Sequence, residues 1–157
     1  MLTVEGMPMG TYGLGCKVGG FLLLAGQIPV DTNGQLVTRY AQLPADEAAS
    51  LRTGATPTDL RDEAIICQTW SVYDNIARLL DHAGAKLSSI VSQRIYMVDI
   101  NQFPGMERVR NRVFRGSTPP TTTVGGVQLV IPDVLIEIEV IAALDESDPE
   151  GVGPNDL

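Results

Sequence analysis

The chain has 157 residues, of which 44% are hydrophobic, so we expect one domain built around a single core. Nineteen acidic and eleven basic side chains give a formal net charge of -8, which opposes a phosphate backbone and argues against a nucleic-acid partner. No leader-like start and no membrane-length apolar run are visible, so the sequence predicts a cytoplasmic protein without a membrane partner. The two cysteines, Cys16 and Cys67, lack metal-like spacing and are predicted to pack as small hydrophobic side chains.

The N-terminal part of the chain predicts a β-hairpin. Apolar residues alternate with small or polar ones over residues 11–18, and a fully apolar run follows at residues 21–25 after Gly19 and Gly20. Residues 31–34 read Asp-Thr-Asn-Gly, which is a strong turn signal. The sheet is therefore predicted to begin before residue 40.

Residues 38–59 have no sustained period and contain Pro44, Gly54 and Pro57. We interpret this segment as a surface loop inserted into the domain, with one short helical turn near residues 45–51. Long loops in compact domains are usually mobile or cover a site, and the sequence leaves both readings open.

The remaining elements alternate between helices and strands. Apolar side chains return at helical spacing from Thr58 or Asp59 to about His82, and Gly84 follows as a stop. The next predicted elements are a strand at 90–98, a helix at 102–114, and strands at 121–129 and 134–144. The order β-β-α-β-α-β-β predicts an α+β sheet with its two helices on one face. We expect a single domain over residues 1–144 and a disordered acidic tail at 145–157.

The last predicted strand carries two carboxylates on one face. Residues 135–142 alternate, so Glu137 and Glu139 leave one side of the strand while isoleucine and valine side chains leave the other. Two helices cover only the apolar side, so we expect the glutamate side to be the association surface of a homo-oligomer. From its position alone, Glu137 fits two interpretations equally well: a proton acceptor for water, or a structural carboxylate at a subunit contact.

Several short strings match one known family in order and spacing. They are Gly10-Thr11-Tyr12, Ala25-Gly26-Gln27-Ile28-Pro29-Val30, Asp74-Asn75-Ile76, Ala83-Gly84-Ala85, Asp99 with Phe103, and Ile136-Glu137-Ile138-Glu139. Together they resemble the RidA (YjgF) family of enamine and imine deaminases, apart from the 38–59 insertion and an extra residue before Val134. The resemblance implies a chorismate-mutase-like fold, a homotrimer, and sites in the clefts between subunits. Because imine hydrolysis needs little assistance, we expect no metal or other cofactor.

The resemblance also implies site residues. The catalytic glutamate of the family corresponds to Glu137, and an early hydrogen-bonding tyrosine corresponds to Tyr12. The family's carboxylate-binding arginine corresponds to Thr121, whose hydroxyl cannot supply a charge-assisted contact of about 1.5–3 kcal/mol. Arg94, Arg112 and Arg115 are candidate replacements, and each also fits a solvated surface arginine. The predicted substrate-binding set is Tyr12, Gln27, Arg94, Thr121, Thr122 and Thr123.

Two functions of different classes follow from these residues. The first is a cofactor-independent hydrolase that deaminates a small enamine, imine or unsaturated amino acid, with Glu137 handling water. Imine hydrolysis is intrinsically fast, so orientation and modest acid–base help suffice. The alternative is a non-catalytic trimer of the same fold that binds or senses a small molecule. The RNA cleavage attributed to some such proteins is disfavoured by the acidic charge.

Overall fold

The computed structural model describes residues 13–144, which form a five-stranded sheet with helices packed on one face. The strands are β1 Gly15–Val18, β2 Phe21–Gln27, β3 Ile90–Met97, β4 Thr121–Gly125 and β5 Ile136–Ala143. The helices are α1 Ala45–Leu51, α2 Thr56–Ala83 and α3 Phe103–Phe114. Short 3-10 turns lie at Tyr40–Gln42, Leu87–Ser89 and Ile100–Gln102. Tyr12 and the acidic tail at 145–157 lie outside the described residues.

The strands lie side by side in the order β1-β2-β5-β3-β4. Only the β3–β4 pair is parallel, and the other three pairs are antiparallel. The predicted α+β fold and its order of elements are confirmed, with α1 as an added helix. The strand predicted at 121–129 ends at Gly125, because Gly126 takes a φ of 74° and turns the chain away from β3.

The two predicted turns near the N-terminus are also present. Gly19 and Gly20 join β1 to β2 with φ values of 54° and 82°, the positive values that a tight hairpin turn requires. In the second turn, the carbonyl of Asp31 accepts a bond from the Gly34 N–H at 3.0 Å. Its carboxylate accepts bonds from the N–H groups of Asn33 and Gln35.

Most side chains of the segment at 38–59 lie at the surface, but the segment contains more helix than the single turn expected and three of its side chains are buried. Tyr40, Leu43 and Leu51 join the hydrophobic core, and α1 forms where one helical turn was expected. The segment is fastened to α2, since Glu63 accepts a bond from the Tyr40 N–H and Asp59 accepts bonds from residues 53 and 54. The sequence did not reveal this burial, because each apolar residue stands alone among prolines, alanines and polar residues.

The two sides of β5 have different surroundings. Ile136, Ile138 and Ala142 are fully buried under the helices. On the other side, Glu137 and Glu139 are half-buried and Ile141 is 38% exposed. We call this second side, which continues across β1 to β4, the open face. The alternation predicted for β5 is therefore confirmed.

Two buried amide side chains of α2 hold the chain segments next to the open face. Asn75 donates to the carbonyls of Ile28 and Val30, at 3.0 and 2.9 Å. Gln68 donates to the carbonyl of Asp133 at 2.8 Å and accepts from the Leu135 N–H at 2.7 Å. Buried backbone groups are costly without partners, so these bonds fix where β2 ends and where β5 begins.

The two cysteines differ in their environment, and both are free. Cys67 is fully buried as predicted, and burial raises the pKa of its thiol to about 12. The same prediction was wrong for Cys16, which is exposed. Cys16 lies opposite Leu23 on the edge strand β1, where no helix covers it. None of the helices within residues 13–144 is long and apolar enough to cross a membrane.

Candidate functional site

The end of β2 and the start of β5 meet at the carboxyl group of Glu137. The pairing of these strands shifts register between Leu24 and Gln27, which is typical of a β-bulge next to a functional site. A Cβ atom added to Gly26 would collide with the Glu137 carboxyl group and lie 2.7 Å from its Cδ atom. The Glu137 carboxyl group therefore lies directly against Gly26, where any larger residue would force the glutamate side chain to shift.

Glu137 is held in a setting that favours its protonated form. Burial raises the pKa of this carboxyl above its ordinary value of 4.5, and the negative charge of Glu139 raises it further. A carboxylate with a raised pKa is a stronger proton acceptor than an ordinary glutamate. The side chain thus has the electrostatic character of a general base, while it still reaches the open face.

Glu139 has a partner that Glu137 lacks. The guanidinium Nη1 of Arg94 donates to Oε1 of Glu139 at 2.7 Å, and the two side chains face each other across β3 and β5. This bond raises the pKa of Arg94, so the guanidinium stays charged. Of the two neighbouring carboxylates, Glu139 forms an ion pair with Arg94, whereas Glu137 has no ion pair among the described residues.

Tyr96 is a further candidate site residue, which was not predicted from the sequence. It lies directly opposite Glu137 in the β3–β5 register and follows Arg94 by two residues, so both side chains project from the open face. A phenol can donate or accept a hydrogen bond, which suits a group next to a carboxylate. The period-two pattern of β3 contained this signal, since it places residues 92, 94 and 96 on one side.

The three threonines of β4 divide between the two faces of the sheet. Thr121 lies on the helix side, where its hydroxyl accepts from Gln93 and donates to the Pro119 carbonyl, both at 2.7 Å. The other end of the Gln93 amide accepts a bond from the Tyr73 hydroxyl. Thr122 lies beside Arg94, and alternation places Thr123 on the same side as Thr121. Only Thr122 therefore shares a face with Glu137.

Gln27 lies at the bulge but is nearly inaccessible. It is 5% exposed, and its side-chain amide donates to the carbonyl of Ala25 at 2.8 Å. The structure therefore gives Gln27 an internal bond that holds the bulge in place. The bulge in turn brings Gly26 against Glu137.

Arg112 and Arg115 lie in the helical layer, away from the open face. Arg112 pairs with Glu47 of α1 at 2.9 Å, and both arginines line a cavity of about 300 Å³ beside Trp70. Of the three arginines considered as replacements for the family's carboxylate-binding arginine, only Arg94 is on the same face as Glu137. Arg94 also lines a shallow cavity of about 200 Å³ there, together with Leu23, Ser92, Glu139 and Ile141.

The groups gathered on the open face are suited to acid–base chemistry. They are a carboxyl with a raised pKa, a phenol, an ion pair and the Thr122 hydroxyl. Within residues 13–144, no three side chains of His, Cys, Asp or Glu come together in a way that would hold a metal ion.

Comparison with known proteins gives consistent matches over most of the chain. Residues 38–144 match the family model described as endoribonuclease L-PSP. A RutC family protein of Pyrococcus abyssi is 33% identical over 86% of this chain and 87% of its own length. The 2-iminobutanoate/2-iminopropanoate deaminase of Escherichia coli is 27% identical over 90% of this chain and 94% of its own length.

Solved structures agree with the sequence matches. A structure from Klebsiella pneumoniae superposes with a TM-score of 0.79 at 30% identity, covering 85% of this chain and 100% of that chain. The YjgF gene product of Escherichia coli superposes with a TM-score of 0.65 at 26% identity, covering 89% of this chain and 94% of that one. The similarity therefore extends over the sheet, the two long helices and the strand that carries Glu137.

Proposed function

Because the chain belongs to the RidA (YjgF) family, we propose that it is a hydrolytic deaminase of small imines or enamines, with Glu137 as its catalytic base. The observation that carries this proposal is the Glu137 carboxyl, which is half-buried against Gly26 and has a raised pKa. Relatives named as 2-iminobutanoate/2-iminopropanoate deaminases support the reaction class.

The reaction needs one water molecule and one proton acceptor. The Glu137 carboxylate accepts a proton from water while the water oxygen bonds to the carbon of the C=N group, and the imine nitrogen takes up a proton. The resulting carbinolamine loses its C–N bond as a second proton reaches the nitrogen, and the hydroxyl gives up its own proton. Ammonia leaves and a carbonyl compound remains. An enamine enters the same route after protonation at its β-carbon.

Two neighbours assist Glu137 in this scheme. Tyr96, opposite Glu137 in the strand register, provides a phenol that donates a hydrogen bond to the carbinolamine oxygen. Arg94 holds the Glu139 side chain in place through their ion pair, and the negative charge of Glu139 helps to raise the pKa of Glu137. Each group therefore has a separate role.

We further propose that the protein is a homotrimer whose subunits cover each other's open faces. The apolar side chains exposed on this face support the proposal, with Val18 at 60%, Phe21 at 44% and Ile141 at 38%. A neighbouring copy would shield Glu137 from bulk water, which would strengthen electrostatic interactions in the site. Sedimentation velocity tests this part, and a monomer at micromolar concentration would contradict it.

The catalytic proposal is tested by competition between hydrolysis and semicarbazide trapping of imines that an oxidase generates in the cuvette. The wild-type protein should lower semicarbazone formation, and Glu137→Gln should reduce the enzyme-dependent rate by about 10²–10⁴-fold. Glu47→Gln is a matched control, because it removes the charge of another half-buried glutamate in the helical layer. Equal rates for wild type and Glu137→Gln would contradict the proposal.

A second candidate function is a trimer that binds a small molecule without catalysis. Thr121 favours it, because this residue stands where the resembling enzymes have an arginine and its hydroxyl is engaged by Gln93. Ligand-induced thermal stabilisation without any hydrolytic rate would support the binding function. RNA cleavage is disfavoured, since nineteen acidic against eleven basic side chains repel a phosphate backbone.

A further inference from the structure

The distribution of cationic side chains limits which imines the open face can bind. The sequence contains eleven lysines and arginines, and all of them fall within residues 17–115, the part of the chain that the structure describes. Only Arg94 projects from the open face. Lys17 points to the opposite side of β1, where its ammonium donates to the Ala83 carbonyl at the end of α2 at 3.0 Å.

The remaining cations belong to the helices and their connections. Most of the helical arginines already have an acidic partner: Arg61 and Arg108 pair with Asp62, Arg78 with Asp74, Arg110 with Glu107, and Arg112 with Glu47. Residues 1–12 and 145–157 contain no lysine or arginine.

Arg94 is not available to a ligand in the same way as a free guanidinium. Its Nη1 atom is bonded to Glu139 at 2.7 Å, so the pair has no net charge. Glu137, two residues away on β5, adds one uncompensated negative charge whenever it is ionised. A substrate carboxylate at this position would meet the negative charge of Glu137, and the Arg94 guanidinium, already paired with Glu139, is not free to offset that charge.

Resting on the deaminase function proposed above, we infer that the site selects imines without a carboxylate, either neutral or protonated to the cationic iminium, over 2-imino carboxylates. In the iminium, the positive charge on nitrogen lies next to the two glutamates. Its C=N carbon is also more electrophilic than that of the neutral imine, so water attacks it more readily. In the hydrolysis, the C=N bond and one water molecule give a carbonyl compound and ammonia. The substrates would be of the type that oxidation of a primary amine releases.

Two imines with one carbon skeleton test this selection directly. An L-amino-acid oxidase acting on leucine releases the 2-imino carboxylate, and a flavin-dependent amine oxidase acting on 3-methylbutylamine releases the same imine without the carboxylate. The enzyme-dependent kcat/KM for each is measured by competition with semicarbazide. We expect the imine without the carboxylate to be preferred by at least about tenfold, and an equal or opposite preference would overturn the inference.

A single substitution should remove most of the selection. Glu139→Gln leaves Arg94 without its ionic partner on the open face, so the preference should shift toward the 2-imino carboxylate by about tenfold or more. Glu47→Gln, which frees Arg112 in the helical layer, should leave the preference unchanged. A shift of the same size in both variants, or in neither, would contradict the role assigned to the Arg94–Glu139 pair.

Thermal stabilisation separates this inference from the deaminase proposal. The probes are 3-methylbutylamine, a cation, and 4-methyl-2-oxopentanoate, an anion of the same skeleton. If neither imine is hydrolysed but the amine alone stabilises the protein, the deaminase proposal fails and the charge selection stands. If the oxo acid alone stabilises it, the charge selection is overturned whether or not hydrolysis is observed.

Discussion

The two sides of β5 differ in burial and in whether their polar groups have partners. On the helix side, Ile136 and Ile138 are fully buried, and the nearby polar groups of Gln68 and Gln93 are engaged in hydrogen bonds. On the open face, Glu137 has a raised pKa and no ion pair among the described residues, and Ile141 is partly exposed. We infer that stability comes mainly from the helix side, while the open face carries the groups to which the proposed function assigns the chemistry.

The largest expected effect is on the helix side. Ile138→Ala should lower the free energy of unfolding by about 2–5 kcal/mol, because it opens a cavity in a fully buried region. Ile141→Ala is the matched change on the open face. It should act mainly by weakening association, so its effect on the melting temperature should vary with protein concentration. Thermal unfolding of both variants at two protein concentrations checks these expectations. If the two substitutions lowered the melting temperature equally and independently of concentration, the two sides of β5 would not differ in the way described.

A smaller but more local effect is expected at the contact between Gly26 and Glu137. Gly26→Ala should cost about 1–3 kcal/mol, because the new methyl group overlaps the carboxyl. In a Glu137→Ala background, the same change should cost less than about 1 kcal/mol, since the obstructing atoms are gone. Urea unfolding of the four proteins in this cycle gives the coupling. Equal costs in both backgrounds would mean that the two residues do not touch.

The hydrogen bonds by which α2 holds the segment after β2 can be tested at Asn75. Asn75→Ala removes the bonds to the carbonyls of Ile28 and Val30, so unfolding should become easier by about 1–2 kcal/mol. The exposed Asn101→Ala should change stability by less than about 0.5 kcal/mol. If the two substitutions had similar effects, the buried amide would not be fixing the end of β2.

The smallest expected effect is a gain in stability from removing the charge of Glu137. A raised pKa in the folded state means that ionisation of Glu137 opposes folding: its contribution is favourable below the unfolded-state pKa and is lost as pH rises through the folded-state pKa. Glu137→Gln should therefore melt slightly above wild type at pH 7, and the difference should shrink as pH falls below 4.5. If Glu137→Gln were less stable than wild type at pH 7, burial would not be raising the pKa of the Glu137 carboxyl.

Strong periodicity allowed much of the fold to be predicted from the sequence. The glycine-linked hairpin, the helix ending at Gly84, and the alternation of β5 are all local patterns, and all three are present. The burial of Tyr40 and Leu51 was not predictable in this way, because their neighbours carry no period and their contacts are with distant residues. Local patterns therefore gave the elements, and tertiary contacts decided the rest.

The candidate site was only partly predictable for a similar reason. The glutamate pair on β5 follows from alternation alone, and the same rule would have found Tyr96 on β3. The side on which Thr121 lies depends on the register of β4 against β3, where a shift of one residue would exchange the faces. The ion pair between Arg94 and Glu139 was likewise not predictable from local patterns, because the two residues are 45 positions apart and meet only through strand pairing.

The central claim is that Glu137 acts as the base toward water, and the most direct test is the pH dependence of imine hydrolysis in wild type and Glu137→Gln. After subtraction of the buffer rate, wild-type kcat/KM should fall on acidification, with a midpoint above 4.5. Glu137→Gln should lose most of the rate, and the remaining activity should lack that acidic limb. An unchanged rate with the same acidic limb in Glu137→Gln would contradict the account.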